Sequence, residues 1–206
     1  MNFLEELDDT NPYLKEFMNI EGYKYMTNFI SSLKNGENVT DITDIRFQLI
    51  GKYAFAVPCK EALAKIKLYE PIIEIGAGNG YWAFLLKNIG TDIIPVDDKG
   101  IKKKNWSHIF EDDTEYTEVT DGNENKILEY PERNLMLCWP PYSDLMAFRC
   151  LSLFEGDFVL YIGELGGCTA NDDFHYKLDR DFVLVEHVNI PQWEHVNDGL
   201  FIYKRK

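Results

Sequence analysis

Apolar residues in the first third of the chain recur at helical spacing. Tyr13, Phe17 and Ile20 follow Pro12, and Met26, Phe29, Ile30 and Leu33 stand at i, i+3, i+4 and i+7, one face of a second helix. Asn35-Gly36 reads as its stop. A third helix is predicted from Thr40 or Asp41 through Ile42, Ile45 and Leu49, interrupted at Gly51. A fourth opens at Pro58, carries Ala62, Leu63 and Ile66, and ends before Pro71, since a residue preceding proline avoids the α region. These faces need a partner to bury against. Residues 1–69 are therefore read as a helical extension packed on a core of residues 70–206.

From Pro71 the pattern changes to strand, helix, strand. Ile72 to Ile75 is a continuous apolar run, and Trp82, Leu85, Leu86 and Ile89 then line one helical face that Gly90 closes. Asp92 to Val96 forms the second strand, ending in Asp97-Asp98. Trp106 to Phe110 is the candidate for a short third strand. The acidic stretch 111–125 reads as a solvated loop, with attraction of a cationic substrate as the alternative. Asn134 to Trp139 is a buried strand stopped by Pro140-Pro141-Tyr142, and Ser143 or Asp144 caps a helix through Leu145, Met146, Phe148, Leu151 and Leu153. Phe158 to Ile162 is a strand, and a short helix is predicted around Asp172 to Leu178. Asp181 to Val188 and Leu200 to Tyr203 are two final strands, joined through Pro191-Gln192-Trp193. Strands alternating with helices predict an α/β fold with a mostly parallel sheet.

Composition narrows this reading. A chain of 206 residues, 45% hydrophobic and 14% aromatic, suits one globular domain. No apolar run reaches the roughly 18 residues of a membrane span. The acidic start, Met1 to Glu6, lacks a secretory signal's basic opening, so a cytoplasmic protein with no membrane partner is expected. Cys59, Cys138, Cys150 and Cys168 show no CxxC spacing and read as reduced thiols, with no metal site expected. A net charge of −14 opposes broad capture of duplex DNA. The clusters Lys99, Lys102, Lys103, Lys104 and Lys204-Arg205-Lys206 read as solvated surface ahead of binding patches.

The candidate chemistry begins at Glu74-Ile75-Gly76-Ala77-Gly78-Asn79-Gly80, a glycine turn between strand and helix. Such a turn admits a ligand close to backbone and is expected to aim free N–H groups of the helix N-terminus at it. Two cofactor classes compete. A dinucleotide turn wants Gly-x-Gly-x-x-Gly, and Tyr81 stands where its third glycine should be. Asp97, or its rival Asp98, ends the second strand where a carboxylate accepts ribose hydroxyls.

On these residues the chain resembles the class I S-adenosylmethionine-dependent methyltransferases. Glu74 to Gly80 is similar to that family's first motif, Asp97 to its ribose-binding acid, and Cys138-Trp139-Pro140-Pro141-Tyr142 to its fourth motif. The resemblance implies a Rossmann-like, doubly wound seven-stranded sheet, mostly parallel with an antiparallel final hairpin, and the N-terminal helices as a variable lid. It implies S-adenosylmethionine as cofactor, held by Glu74, Gly76, Ala77, Gly78, Gly80, Asp97 or Asp98, and Cys138. Methyl transfer would be an in-line displacement onto a nucleophile near the loop from Trp139 to Tyr142.

Amino-methylating relatives begin the fourth motif with Asp, Asn or Ser. Trp139 departs from this and offers no acceptor. It reads either as a stacking surface for a planar substrate or as a core residue. Glu164, Asp172, Asp173 and His175 after the fifth strand are candidates for substrate contact or proton transfer, and Tyr53 and Phe55 for closing over the cofactor. The favoured function is methyl transfer to a small molecule or protein, with nucleic acid behind. A methyltransferase-fold binding or scaffold protein without transfer is the alternative, and a dinucleotide-binding oxidoreductase a weaker one.

Overall fold

The computed structural model describes residues 10–20, 42–99 and 115–206. The predicted helix of Met26 to Leu33, the predicted strand of Trp106 to Phe110 and Lys102 to Lys104 lie outside them. Helix α1 covers residues 12–20, and its Lys15 N–H donates to Asn11 O at 3.2 Å. Then follow α2 (Ile42–Lys52) and α3 (Lys60–Lys67). α2 runs through Gly51, where the sequence predicted an interruption. A single glycine near a helix end costs only about 1 kcal/mol, less than the packing of Leu49 and Ile50 returns.

The sheet comprises β1 (Ile72–Ile75), β2 (Ile93–Asp97), β3 (Thr120–Asp121), β4 (Asn134–Cys138), β5 (Phe158–Gly163), β6 (Phe182–Asn189) and β7 (Gly199–Arg205). Between them lie α4 (Tyr81–Asn88), a 3-10 helix (Glu124–Glu129), α5 (Met146–Leu153) and α6 (Asp172–Asp181). The spatial order is β3-β2-β1-β4-β5-β7-β6. Neighbours from β3 to β5 are parallel, while β7 runs antiparallel to both β5 and β6. β3 is a correction: it falls inside the stretch read as a solvated acidic loop. Two residues are too short to show an alternating pattern, and Asp121 disguises their pairing with Val96 and Asp97.

Period-two alternation divides every central strand between two cores. Ile72, Met136 and Leu160 face the cluster that holds Tyr13, Phe17, Leu63, Trp82 and Leu86. Ile73, Leu135, Leu137 and Val159 face the cluster that holds Leu151, Phe174 and Leu178. The result is three layers, helix on sheet on helix. The N-terminal helices share a core with β1, β4 and β5. Tyr81, fully buried, ties them in further: its hydroxyl donates to Asn11 Oδ1 at 2.7 Å and accepts the Tyr13 N–H at 3.2 Å.

Candidate functional site

Strand order reverses direction between β1 and β4, and an open α/β sheet leaves a crevice outside the carboxyl ends of the strands there. A cavity of about 510 Å3 occupies that place. Its lining includes Glu74, Gly76, Ala77, Gly78, Asp97, Asp98, Cys138, Trp139 and Tyr142, which the sequence had singled out. Tyr53 and Phe55 line it too. Gly80, Glu164 and His175 do not. Gly80, at φ 76°, is instead the residue before α4, with Val119 packed 2.9 Å from where a Cβ would stand.

The glycine turn differs from expectation in one respect. Its N–H groups are largely spent inside the protein. Gly76 and Ala77 donate to Val96 O at 2.9 and 3.0 Å, Gly78 to Asp97 Oδ2 at 2.6 Å, Gly80 to Ala77 O at 2.9 Å, and Tyr81 to Asn79 Oδ1 at 3.3 Å. A phosphate-type anion therefore finds few of the donors that such turns offer elsewhere. The space is nonetheless open: Gly78 sits at φ 61° with nothing within 4 Å of its missing Cβ. A side chain there would be strained and would stand in the cavity.

Charge follows the same sense. Among the described residues, the lining carries Glu74, Asp97, Asp98, Glu124 and Asp144 against Arg149 as its one cation. Arg149 is paired with Glu124 at 3.6 Å. Glu74 is 1% exposed, and its Oε2 has no hydrogen-bond partner among the described residues. Burial, reinforced by the nearby Asp97 charge and opposed by Lys87, pushes its carboxyl up to about 8. The Cys138 thiol is raised by burial, then by Glu74 and Asp198, which leaves it unreactive at neutral pH.

The opposite wall is aromatic. Trp139 adopts φ 51°, a left-handed backbone that side chains avoid. Its N–H donates to Ile162 O at 2.8 Å, and its ring stacks on Phe55 at 5.3 Å and 14°. Its indole Nε1 donates to Asp198 Oδ1 at 2.8 Å. Tyr142, 69% exposed, stands at the lip. Ser143 N–H donates to Ala170 O, and Ala170 N–H to Pro140 O, both at 2.9 Å, so this loop is clipped to the one after β5. Of the two predicted caps, Asp144 bonds the start of α5, accepting the Met146 N–H at 2.7 Å.

Glu164 is a loop clamp. Its carboxylate accepts N–H groups from Cys168 at 2.9 Å and Asn197 at 2.6 Å. Burial works to raise its pKa but is outweighed by these donors, so it stays ionised below the usual range. His175 Nε2 lies 3.0 Å from Thr169 O, with its ring edge-on to Tyr161. Asp198 is the residue that sequence reasoning missed. It reads as an ordinary polar residue before a strand, and no local pattern announces that it is 2% exposed. The basic tail is also committed internally: Arg205 donates to Gly156 O and Phe154 O at 2.8 and 2.6 Å.

No family model and no curated protein matches the chain. Among solved structures, a protein in the NADB-Rossmann superfamily from Streptococcus agalactiae is 15% identical, over 74% of this chain and 71% of its own, with a TM-score of 0.45. A putative type 11 methyltransferase from Sulfolobus solfataricus is 17% identical, over 71% and 91%, at 0.48. Magnesium protoporphyrin IX methyltransferase from Synechocystis PCC 6803 with bound S-adenosylmethionine is 10% identical, over 96% and 100%, at 0.46. These likenesses are distant, and the assignment rests on the sheet itself. None of the described helices is long and apolar enough to cross a membrane. Among the described residues, seven strands in this order, β7 alone reversed and a glycine turn after β1, give the chain the class I S-adenosylmethionine-dependent methyltransferase fold.

Proposed function

We propose that the protein binds S-adenosylmethionine in this cavity and transfers its methyl group to a small-molecule or protein acceptor. One observation carries the reading. At the switch point of the sheet, an open glycine face adjoins carboxylates, while the turn's own N–H donors are already used. That chemistry suits a nucleoside bearing positive charge and opposes a pyrophosphate, so it disfavours the dinucleotide alternative. Asp97 and Asp98 would hold the ribose, Gly76 to Gly78 would lie against the ligand, and Glu74 would face its positive end. The orphaned Oε2 of Glu74 fits a ligand that brings a donor or a cation.

When bound, the cofactor supplies an electrophilic methyl group on a sulfonium. The chain's own contribution is to hold the acceptor in line and exclude water. Trp139, Phe55 and Tyr142 would orient it by their ring faces. A second reading, a cofactor-binding protein without transfer, draws on Trp139: its indole N–H is given to Asp198, so position 139 offers an amine no side-chain acceptor.

Calorimetric titration with S-adenosylmethionine, S-adenosylhomocysteine and NAD tests the reading. Both sulfur ligands are expected to bind and NAD is not. Asp97→Ala is expected to weaken binding about tenfold or more, about 1.4 kcal/mol. Heat from NAD alone overturns the proposal. Labelled cofactor incubated with fractionated lysate then separates transfer from mere binding.

A further inference from the structure

Asp198 and Trp139 are 59 residues apart in sequence yet share a 2.8 Å hydrogen bond. Asp198 does not line the cavity and Trp139 does. The carboxyl is placed by its own surroundings. Asp198 O accepts from Gln192 Nε2 at 2.7 Å, and the preceding N–H, that of Asn197, is held by Glu164 Oε1 at 2.6 Å. The loop before β7 is thus clamped on both sides of the side chain. Trp139 in turn is restrained at four points: its backbone N–H on Ile162 O, its indole N–H on Asp198, its face on Phe55, and the Arg46 guanidinium 5.9 Å from its centroid. A left-handed backbone at a large side chain persists only where surroundings fix it in this way.

We propose that Asp198 is a positioning residue: its carboxyl takes the indole N–H of Trp139 and holds the ring as a fixed aromatic wall of the cavity. This inverts what the resembling motif does at its first position. There Asp, Asn or Ser offers a side-chain oxygen. Here the side chain is a donor, its N–H is turned to Asp198, and the cavity is left with a flat ring. The wall selects ligands by a planar face rather than by a hydrogen-bond donor. That the selected ligand is a methyl acceptor rests on the reading above; the wall itself does not.

The carboxyl is held by geometry, and its titration gives the readout. Burial, with the Glu164 charge adding and the Trp139 bond and Arg46 opposing, pushes Asp198 up to about 7. The other groups in electrostatic reach are Tyr13, Cys138, Tyr161 and Cys168, whose own values lie above the ordinary ones. Among these facing groups, Asp198 is the one that changes charge close to neutral pH.

The test uses ligand-free full-length protein, so that failure of cofactor binding cannot be mistaken for failure here. The emission of Trp139 is taken as the difference between the wild type and Trp139→Phe. It is expected to titrate with a midpoint of about 7 in the wild type and not in Asp198→Asn. Asn Oδ1 still accepts the indole N–H, so that variant keeps the wild-type emission maximum and acrylamide accessibility. Asp198→Ala is expected to raise the accessibility of Trp139 about twofold or more, by local release of the ring. The proposal is overturned if the neutral-pH titration survives in Asp198→Asn, or if a folded Asp198→Ala leaves Trp139 as shielded as before. Should Asp198→Ala fail to fold, the Asn titration alone decides.

Discussion

The two sides of the cavity each hold a buried carboxyl group with one unpartnered oxygen, Glu74 Oε2 and Asp198 Oδ2, among the described residues. They differ in what the rest of the group does. Glu74 lines the cavity and its carboxyl makes no hydrogen bond with the described residues, whereas Asp198 stands behind the wall and spends its other oxygen on Trp139. Burial raises both, to about 8 and about 7. The glycine side is built from backbone and leaves a buried carboxyl, mostly protonated at neutral pH, at the cavity. The aromatic side is built from side chains and spends its charge on architecture. A buried acid kept without a partner at a cavity marks a binding site, while one that is paired marks a support.

Replacing Glu74 is the largest way to break this contrast. Its pKa is raised on folding, so the fold disfavours its charged form. Stability is therefore full below the ordinary value of 4.5 and is lost as pH rises towards about 8. At about 1.4 kcal/mol per pH unit, the loss is at most about 5 kcal/mol. Glu74→Gln is expected to abolish most of this slope, leaving stability at pH 4 nearly unchanged and adding several kcal/mol at pH 9. Urea unfolding across that range checks it. The same change should weaken S-adenosylmethionine more than its uncharged-sulfur product, because glutamine cannot ionise against the sulfonium as glutamate can. A variant that gains no stability at high pH would mean that Glu74 already has a partner in solution.

The contrast also explains what was legible in the sequence. The glycine side is local: Glu74 to Gly80 is one continuous segment, and Asp97 follows one helix later, so spacing alone reveals it. The order of elements follows from alternating patterns in the same way, while the reversed β7 is an expectation of the family resemblance. The aromatic side is assembled from α2, the end of β4 and the loop before β7, and no spacing links Arg46, Trp139 and Asp198. His175 was singled out because its residue type suits proton transfer; its position on α6 turns it to Thr169 O and the ring of Tyr161. The spent N–H groups of Gly76, Ala77 and Gly78 were equally invisible, since their acceptors belong to β2.

Gly78→Ala acts on the glycine side alone and is smaller. The left-handed φ of 61° gives alanine a strain of about 1–2 kcal/mol, and the added methyl group meets no atom of the protein. Thermal unfolding should show that modest loss, and calorimetry a larger proportional loss of cofactor affinity. Equal affinity in the variant would move the ligand away from the turn.

Tyr142→Ala is the smallest test and the one that isolates the aromatic side. Tyr142 is 69% exposed and no hydrogen bond from the described residues holds its ring, so its removal should change stability by about 0.5 kcal/mol or less. Cofactor affinity, which the proposed function assigns to residues across the cavity, should stay within about twofold, less than 0.5 kcal/mol. Transfer to an acceptor should fall much further, because the ring at the lip can stabilise only what enters after the cofactor. A variant that loses cofactor binding in step with transfer would show that the two sides are one site, and the division drawn from Glu74 and Asp198 would fail with it.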